Sequence, residues 1–298
     1  MLDVSVIIVN YNTSAVLEDC LASVYAKTEG VSYEVIVVDN ASSDDSVQMV
    51  RRDFPDVVLI EAGENLGFGR ANNLGMQRAN GKYIFLLNSD TVLLNNAIKI
   101  FYQKAERILS ENRRLGVLGA ILLRSDLQTC HSYGRFITAS HELRETLAKY
   151  FRFLKDSSNT KPHKVTGELP VDYVTGADMF MPRSVFKETG GFDDDFFMYC
   201  EEVDWQKRMC QLGMERIIVG GPEIIHLEGG SDTKKKNIWS PSRLRNLAMS
   251  RKIYRKKHYN KHILPLVRML LVLLDAPSLI LIALLKKEKR YIELINLK

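Results

Sequence analysis

Four short, almost unbroken apolar runs decide what this chain can fold into. Val4–Val9, Glu34–Val38, Val57–Ile60 and Tyr83–Leu87 are rich in β-branched and aliphatic residues and show no polar alternation. Runs of that kind are strands covered on both faces. Between them the apolar residues shift to helical spacing: Leu17, Leu21 and Val24 after the first run, a second stretch to about Asp53, and a third from Gly69 to Ala79. Strands alternating with helices predict a mostly parallel α/β sheet. Ligands of such sheets bind beyond the carboxyl ends of the strands. Three runs end there on polar tips, Asn10-Tyr11-Asn12, Asp39-Asn40 and Asn88-Ser89-Asp90, which are therefore expected along one edge.

The last tip carries the most chemistry. On an extended chain Asn88 and Asp90 point to the same side, and a carboxylate at the end of a buried strand suits a hard divalent cation carrying phosphates. A polar turn, with Asp90 capping the next helix, accounts for the same residues. Gly67-Phe68-Gly69-Arg70-Ala71-Asn72 is not a dinucleotide-binding fingerprint, because the third glycine is missing and the element follows the third strand instead of the first. It reads either as a loop of close backbone approach, with Arg70 and Asn72 beside a nucleotide sugar, or as a helix entry with a solvated Arg70.

Further on, a long helix is expected from about Asn95 to Glu111 and a strand over Leu115–Ala120. Residues 129–168 are irregular and read as a surface excursion able to cover a substrate. Order returns at Val171–Pro182. The acids Glu201, Glu202 and Asp204 then open a helix among aromatic residues. Acids in a first turn are favoured by the helix dipole, but buried among aromatics they also suit a general base. Ile217–Val219 and Glu223–His226 read as short strands, and a lone His226 behind an apolar run reads first as structural.

With 298 residues the chain can bury a sizeable core, and 46% apolar and 26% charged residues exclude wholesale disorder. The four cysteines are scattered, without a CxxC pair, which argues against a disulfide framework or a zinc site. No signal peptide is expected at the N-terminus, so a cytoplasmic location follows. The formal charge of +5 is uneven. Arg251, Lys252, Arg255, Lys256, Lys257, His258, Lys261 and His262 precede an apolar stretch from Ile263 to Leu285, interrupted by Arg268, Asp275, Pro265 and Pro277. That pattern predicts helices lying in the inner leaflet surface, held by apolar burial and anionic lipid, instead of a span. An appendage packed on the core or an oligomer contact would use the same residues. Nucleic acid is not expected, since no reading module accompanies the charge.

In order and spacing, these segments resemble the family 2 inverting glycosyltransferases of GT-A fold, especially bacterial rhamnosyltransferase-like members. The resemblance rests on Ser5–Asn12, Val37–Ser42, Glu64–Phe68 with Ala71-Asn72, Leu87–Asp90, Thr175–Ala177, Gly191–Asp193 with Phe196-Phe197, and Glu201–Asp204 followed by His226. It implies a Rossmann-like, mostly parallel central sheet flanked by helices over residues 1–240, with a helical, membrane-associating appendage over 241–298. It also implies a nucleoside-diphosphate sugar donor, a saccharide or lipid-linked saccharide acceptor, and Mn2+ or Mg2+. Asp39 would bind the base, with Asn10 and Tyr11 lining its pocket. Asn88, Gly176, Ala177 and Asp178 would join the donor site. Asp90 would hold the metal, and His226 would complete its shell, reversing the structural reading of that histidine. Glu202 stands where the family's catalytic base is usually Asp, and Glu201 or Asp204 could share the role. A nucleotidyltransferase is disfavoured because the first strand–helix loop has no Gly-rich, Lys-containing signature. A non-catalytic carbohydrate-binding scaffold would also preserve the fold.

Overall fold

A computed structural model describes residues 2–148, 165–227 and 241–274. The chain divides into two compact units, which among the described residues comprise 2–135, 165–194 and 202–227 in the first, and 136–148, 195–201 and 241–274 in the second.

The first unit is built on an eight-stranded sheet. Its central strand β1 (Val4–Asn10) pairs in parallel with β2 (Tyr33–Asp39) on one side and with β4 (Tyr83–Asn88) on the other. β3 (Val58–Glu61) extends the parallel set beyond β2. Beyond β4 the sheet continues through β10 (Asp178–Pro182), β6 (Leu115–Gly119), β11 (Glu215–Val219) and β8 (Glu168–Pro170). Of these, β10 runs antiparallel to β4 and β6, while β11 is parallel to β6. The apolar runs become strands because side chains alternate between two covered faces. Val4, Val6 and Ile8 pack with Leu17, Cys20, Leu21 and Val24 of helix α1 (Ser14–Lys27) and with Phe101, Ala105 and Ile108 of α4 (Ala97–Ser110). On the other face, Ile7, Ile36, Ile84 and Met179 meet Ala71 and Met76 of α3 (Phe68–Arg78) and Trp205 and Met209 of α7 (Glu201–Gln211).

Parallel register fixes the functional edge. Asn10 lies opposite Asp39, and Val9 opposite Asn88, so the three polar tips end side by side. A two-stranded ribbon stands next to that edge, with β5 (Thr91–Leu93) antiparallel to β12 (Ile224–His226) and Thr91 opposite His226. β7 (Tyr133–Gly134) pairs with β9 (Tyr173–Val174). Helices α2 (Ser46–Asp53) and α6 (Arg183–Thr189) complete the first unit.

The irregular reading of 129–168 needs refining, because it contains a regular helix, α5 (Ala139–Ala148); the part from 149 to 164 lies outside the described residues. In the second unit, α5 packs with α8 (Pro241–His258) through a buried ion pair: Arg255 donates from Nε and Nη2 to the two carboxylate oxygens of Glu142, each at 2.8 Å. Arg255 is therefore not a surface charge, being only 2% exposed. Lys257 is likewise engaged, with Asp195 at 2.8 Å. Residues 264–274 are helical and present Leu266, Met269 and Leu273 to solvent while burying Val267 and Leu271. Among the described residues no helix is long and apolar enough to cross a membrane. The rest of the predicted apolar stretch, from Asp275 on, lies outside them.

Candidate active site

Strand ends build the site from the sheet upward. At the β1 tip Asn10 is fully buried, and its Nδ2 donates to Asp39 Oδ1 at 3.0 Å and to Ser42 Oγ at 3.1 Å. Its Oδ1 accepts from Thr13 Oγ1. The second oxygen of Asp39 accepts the Ser42 backbone N–H at 2.9 Å. Asp39 is thus held rigidly at a buried strand end, and its remaining lone pairs can receive a donor such as a pyrimidine N–H. Tyr11 is 42% exposed beside it, an open ring on which a base can stack. Asn40 fastens the neighbouring loop: its Oδ1 accepts the Leu66 N–H at 2.8 Å, and its Nδ2 donates to the Gly67 carbonyl at 3.1 Å.

The β4 tip is pinned as firmly. Asn88 N–H donates to the Ala177 carbonyl at 3.0 Å, Thr91 Oγ1 donates to the Asn88 carbonyl at 2.7 Å, and Ser89 Oγ lies 3.2 Å from Thr13 Oγ1. The ribbon brings in the remaining group. Leu227 N–H donates to the Asp90 carbonyl, and His226 N–H to the Leu123 carbonyl. These bonds set His226 Nε2 at 3.2 Å from Asp90 Oδ1, with both side chains less than one-fifth exposed. The Asn88 amide group stands 3.5 Å from the same ring nitrogen.

This donor set fits a divalent cation. Two ligands at about 2.1 Å in neighbouring octahedral positions lie about 3 Å apart, close to the Asp90–His226 separation. An oxygen and an imidazole nitrogen suit Mn2+ or Mg2+ bound mainly by a diphosphate and water. Among the described residues no group of three or more His, Cys, Asp or Glu side chains surrounds one point, so the protein offers a partial shell that a ligand would have to complete.

Across the edge, α7 presents the acids. Glu202 is partly exposed, and burial raises its carboxyl above the ordinary value of 4.5 even though N–H groups of the first helical turn stabilise the charge. That shift makes it a stronger base than a free glutamate. Asp204 is placed differently: it is 1% exposed, and its Oδ2 accepts from Arg208 Nε at 2.9 Å. It anchors the helix. Glu201 is buried at 4% exposure.

Gly176 faces Glu202 in a tight space. A Cβ there would lie 3.1 Å from the Phe68 ring and 4.0 Å from Glu202 Cβ. Ala177 contributes its carbonyl to Asn88. Three expected donor-site residues are turned to other partners. Asn72 is buried and donates to the Phe68 carbonyl within α3. Arg70 donates from Nε and Nη2 to the Asp194 carbonyl. Asp178 is fully buried and accepts the Ala120 N–H at 2.6 Å, and burial pushes its carboxyl well above 3.8. Sequence reasoning assigned no site role to Thr13, which reads as turn and cap chemistry, or to Ser42, yet both hold the Asn10–Asp39 pair.

With this geometry in view, comparison with known proteins is direct. Residues 5–126 match the model of Glycosyl transferase family 2. An N-acetylglucosaminyl-diphospho-decaprenol L-rhamnosyltransferase of Mycobacterium tuberculosis is 28% identical over 234 residues, covering 74% of this chain and 75% of the relative. The Low-salt glycan biosynthesis hexosyltransferase Agl10 of Haloferax volcanii is 26% identical, covering 75% and 66%. Rhamnosyltransferase WbbL of Escherichia coli is 24% identical, covering 75% and 83%. In fold the chain is similar to a solved mannosyltransferase, PcManGT from Pyrobaculum calidifontis in complex with GDP-Man and Mn2+, with a TM-score of 0.57 and 18% identity over all of this chain and 86% of that one. Residues 5–126 thus resemble a family 2 glycosyltransferase domain, the fold is GT-A, and the chain is a glycosyltransferase.

Proposed function

We propose that this glycosyltransferase moves a hexose or deoxyhexose, with inversion, from a nucleoside-diphosphate sugar to a saccharide or lipid-linked saccharide during glycan synthesis. The observation that carries the reading is the Asp90–His226 pair, set at the same sheet edge as the buried Asn10–Asp39 pair. One end of that edge suits a base, and the other suits the diphosphate. The relatives are named for rhamnosyl and hexosyl transfer, and one is named for a decaprenol-linked substrate; these names support a deoxyhexose or hexose donor and a lipid-linked acceptor here.

Asp39 receives an N–H of the base while Asn10 and Ser42 keep its carboxylate oriented, and Tyr11 covers the ring. Asp90 and His226, with Asn88 beside them, would hold Mn2+ or Mg2+, which when bound neutralises charge on the diphosphate leaving group. Glu202 takes the proton from the acceptor hydroxyl. That oxygen forms its bond to the anomeric carbon as the carbon–oxygen bond to the diphosphate breaks on the opposite face, which inverts the centre. Asp204 keeps α7 in place through Arg208, and Glu201 completes the acidic helix start. The exposed apolar residues of 263–274, with exposed Lys252, Lys256 and Lys261 nearby in sequence, would rest this acceptor chemistry on an anionic membrane surface at the cytoplasmic face.

The test is release of free nucleoside diphosphate from a panel of nucleotide sugars, with Mn2+, Mg2+ or EDTA, comparing wild type with Asp90→Ala. Release from one donor that needs metal and disappears in the variant supports the reading. Equal release with EDTA, or from Asp90→Ala, overturns the metal assignment.

A further inference from the structure

The turn Gly190–Asp194 has no part in the chemistry above, yet it is gripped from two helices at once. From α3, the Asn73 side chain meets both polar groups of one residue: its Nδ2 donates to the Phe192 carbonyl at 2.8 Å, and its Oδ1 accepts the Phe192 N–H at 3.0 Å. Three residues earlier on the same helix face, Arg70 forks onto the Asp194 carbonyl at 2.9 and 2.6 Å. From α7, Arg208 donates to the carbonyls of Thr189 and Gly191, each at 2.6 Å, while Asp204 steadies its guanidinium. Trp205 Nε1 donates to Thr189 Oγ1. Between the helices the Phe192 ring lies edge-on to Phe68, with centroids 5.7 Å apart, and 4.6 Å from Trp205. The turn conformation admits no alternative residue: Gly191 has φ +77°, and a Cβ would lie 2.5 Å from Asn73 Oδ1.

Both gripped helices end at the reaction site. α3 begins at Phe68, whose ring lies against Gly176, and α7 carries Glu202, which faces the same glycine. We propose that Asn73 is a positioning residue for sugar transfer: by clamping the Phe192 backbone between α3 and α7, it sets where Glu202 stands relative to the donor loop. This inference rests on Glu202 acting as the base. An amide is suited to the task because it offers a donor and an acceptor side by side at any pH, matching a backbone N–H and C=O. A residue that merely filled space would not need both. Displacement of a reacting group by about 1 Å can cost about 100-fold in rate, so a loosened clamp acts on kcat without touching any substrate.

The experiment is a double-mutant cycle on turnover of the nucleotide sugar found active in the donor panel, using Asn73→Ala and Glu202→Gln. Asn73→Ala should lower kcat about 10- to 100-fold, leave binding of the corresponding nucleoside diphosphate within about twofold, and add less than about twofold once Glu202 is Gln. The acid limb of its pH–rate profile should also move toward the ordinary glutamate value. The same fold-loss in both backgrounds would overturn the proposal, as would wild-type kcat per folded molecule. If Asn73→Ala does not fold, Asn73→Asp is measured in the same cycle, since it keeps an acceptor for the Phe192 N–H while losing the donor and adding a charge near Asp194. Wild-type turnover by Glu202→Gln alone would sink the base assignment instead, and so separates the two failures.

Discussion

The ion pair between Glu142 and Arg255 should decide the stability of the second unit. Glu142 is 1% exposed and Arg255 2%, and the carboxylate also accepts the Tyr259 hydroxyl at 2.7 Å. Glu142→Gln keeps the shape but turns an amide toward a buried guanidinium and leaves that charge uncompensated. Breaking a buried pair in this way costs about 3–5 kcal/mol. For a chain of this size each kcal/mol moves Tm by roughly 2–4 °C, so a fall of about 6–20 °C is expected in a thermal melt followed by circular dichroism. Replacing both partners by apolar side chains of similar volume, Glu142→Leu with Arg255→Met, should recover most of the loss, because desolvation then disappears with the charges. The pH dependence follows the same logic. Burial alone would push the Glu142 carboxyl up, but the hydrogen bonds and charge of Arg255, with Tyr259 and Arg251, outweigh it and hold the carboxyl below its ordinary 4.5. A depressed carboxyl contributes stability that is present above its unfolded value and lost as pH falls through the folded one. Wild type should therefore lose stability in acid below about pH 4.5, and the doubly apolar variant should lack that component. A single variant within about 0.5 kcal/mol of wild type, or a double variant as unstable as the sum of the singles, would refute this reasoning.

Three further outcomes are expected. Gly176→Ala should lower turnover more than stability, because its Cβ would press on Phe68 and approach Glu202; activity per folded molecule reads this directly. With Glu202 as the proposed base, the acid limb of the pH–rate profile should lie above the ordinary glutamate value of 4.5, because burial raises its carboxyl; Glu202→Gln should abolish that limb. For Asp178, whose carboxyl is raised above 3.8, the stability contributed by its neutral form is complete below that value and declines as pH rises toward the folded value. Wild type should therefore lose ground against Asp178→Asn, by on the order of 1.4 kcal/mol per pH unit over that interval, in urea titrations across the acid-to-neutral range.

What the sequence revealed and concealed follows from the range of the forces involved. β1, β2 and β4 are legible because strands covered on both faces must be continuously apolar, and parallel register then aligns Asn10, Asp39 and Asn88 without further information. The alignment of the three polar tips was readable for that reason. His226 was legible through the family resemblance and not from its own surroundings, because it reaches Asp90 only through the three-residue strands β5 and β12, whose pairing joins positions far apart in the chain. Asn72 and Asn73 are adjacent and chemically identical, and only the phase of α3 against the sheet sends one inward and the other to the turn. Arg255 reads as one more charge in a basic tail, because its partner Glu142 lies on a helix with little apolar patterning. The antiparallel insertion of β10 next to β4 likewise leaves no local mark, although it is what brings Gly176 and Ala177 beside Asn88.

The most direct test of the site is calorimetric binding of a nucleoside diphosphate, with UDP, GDP and dTDP each titrated into wild type, Asp39→Ala and Asp90→Ala, with and without Mn2+. One nucleotide should bind wild type in a metal-dependent manner. Asp90→Ala should abolish the metal dependence, and Asp39→Ala should weaken binding whether or not metal is present. Equal affinity with and without Mn2+ in wild type, or unchanged binding in both variants, would contradict the placement of diphosphate and base along this sheet edge.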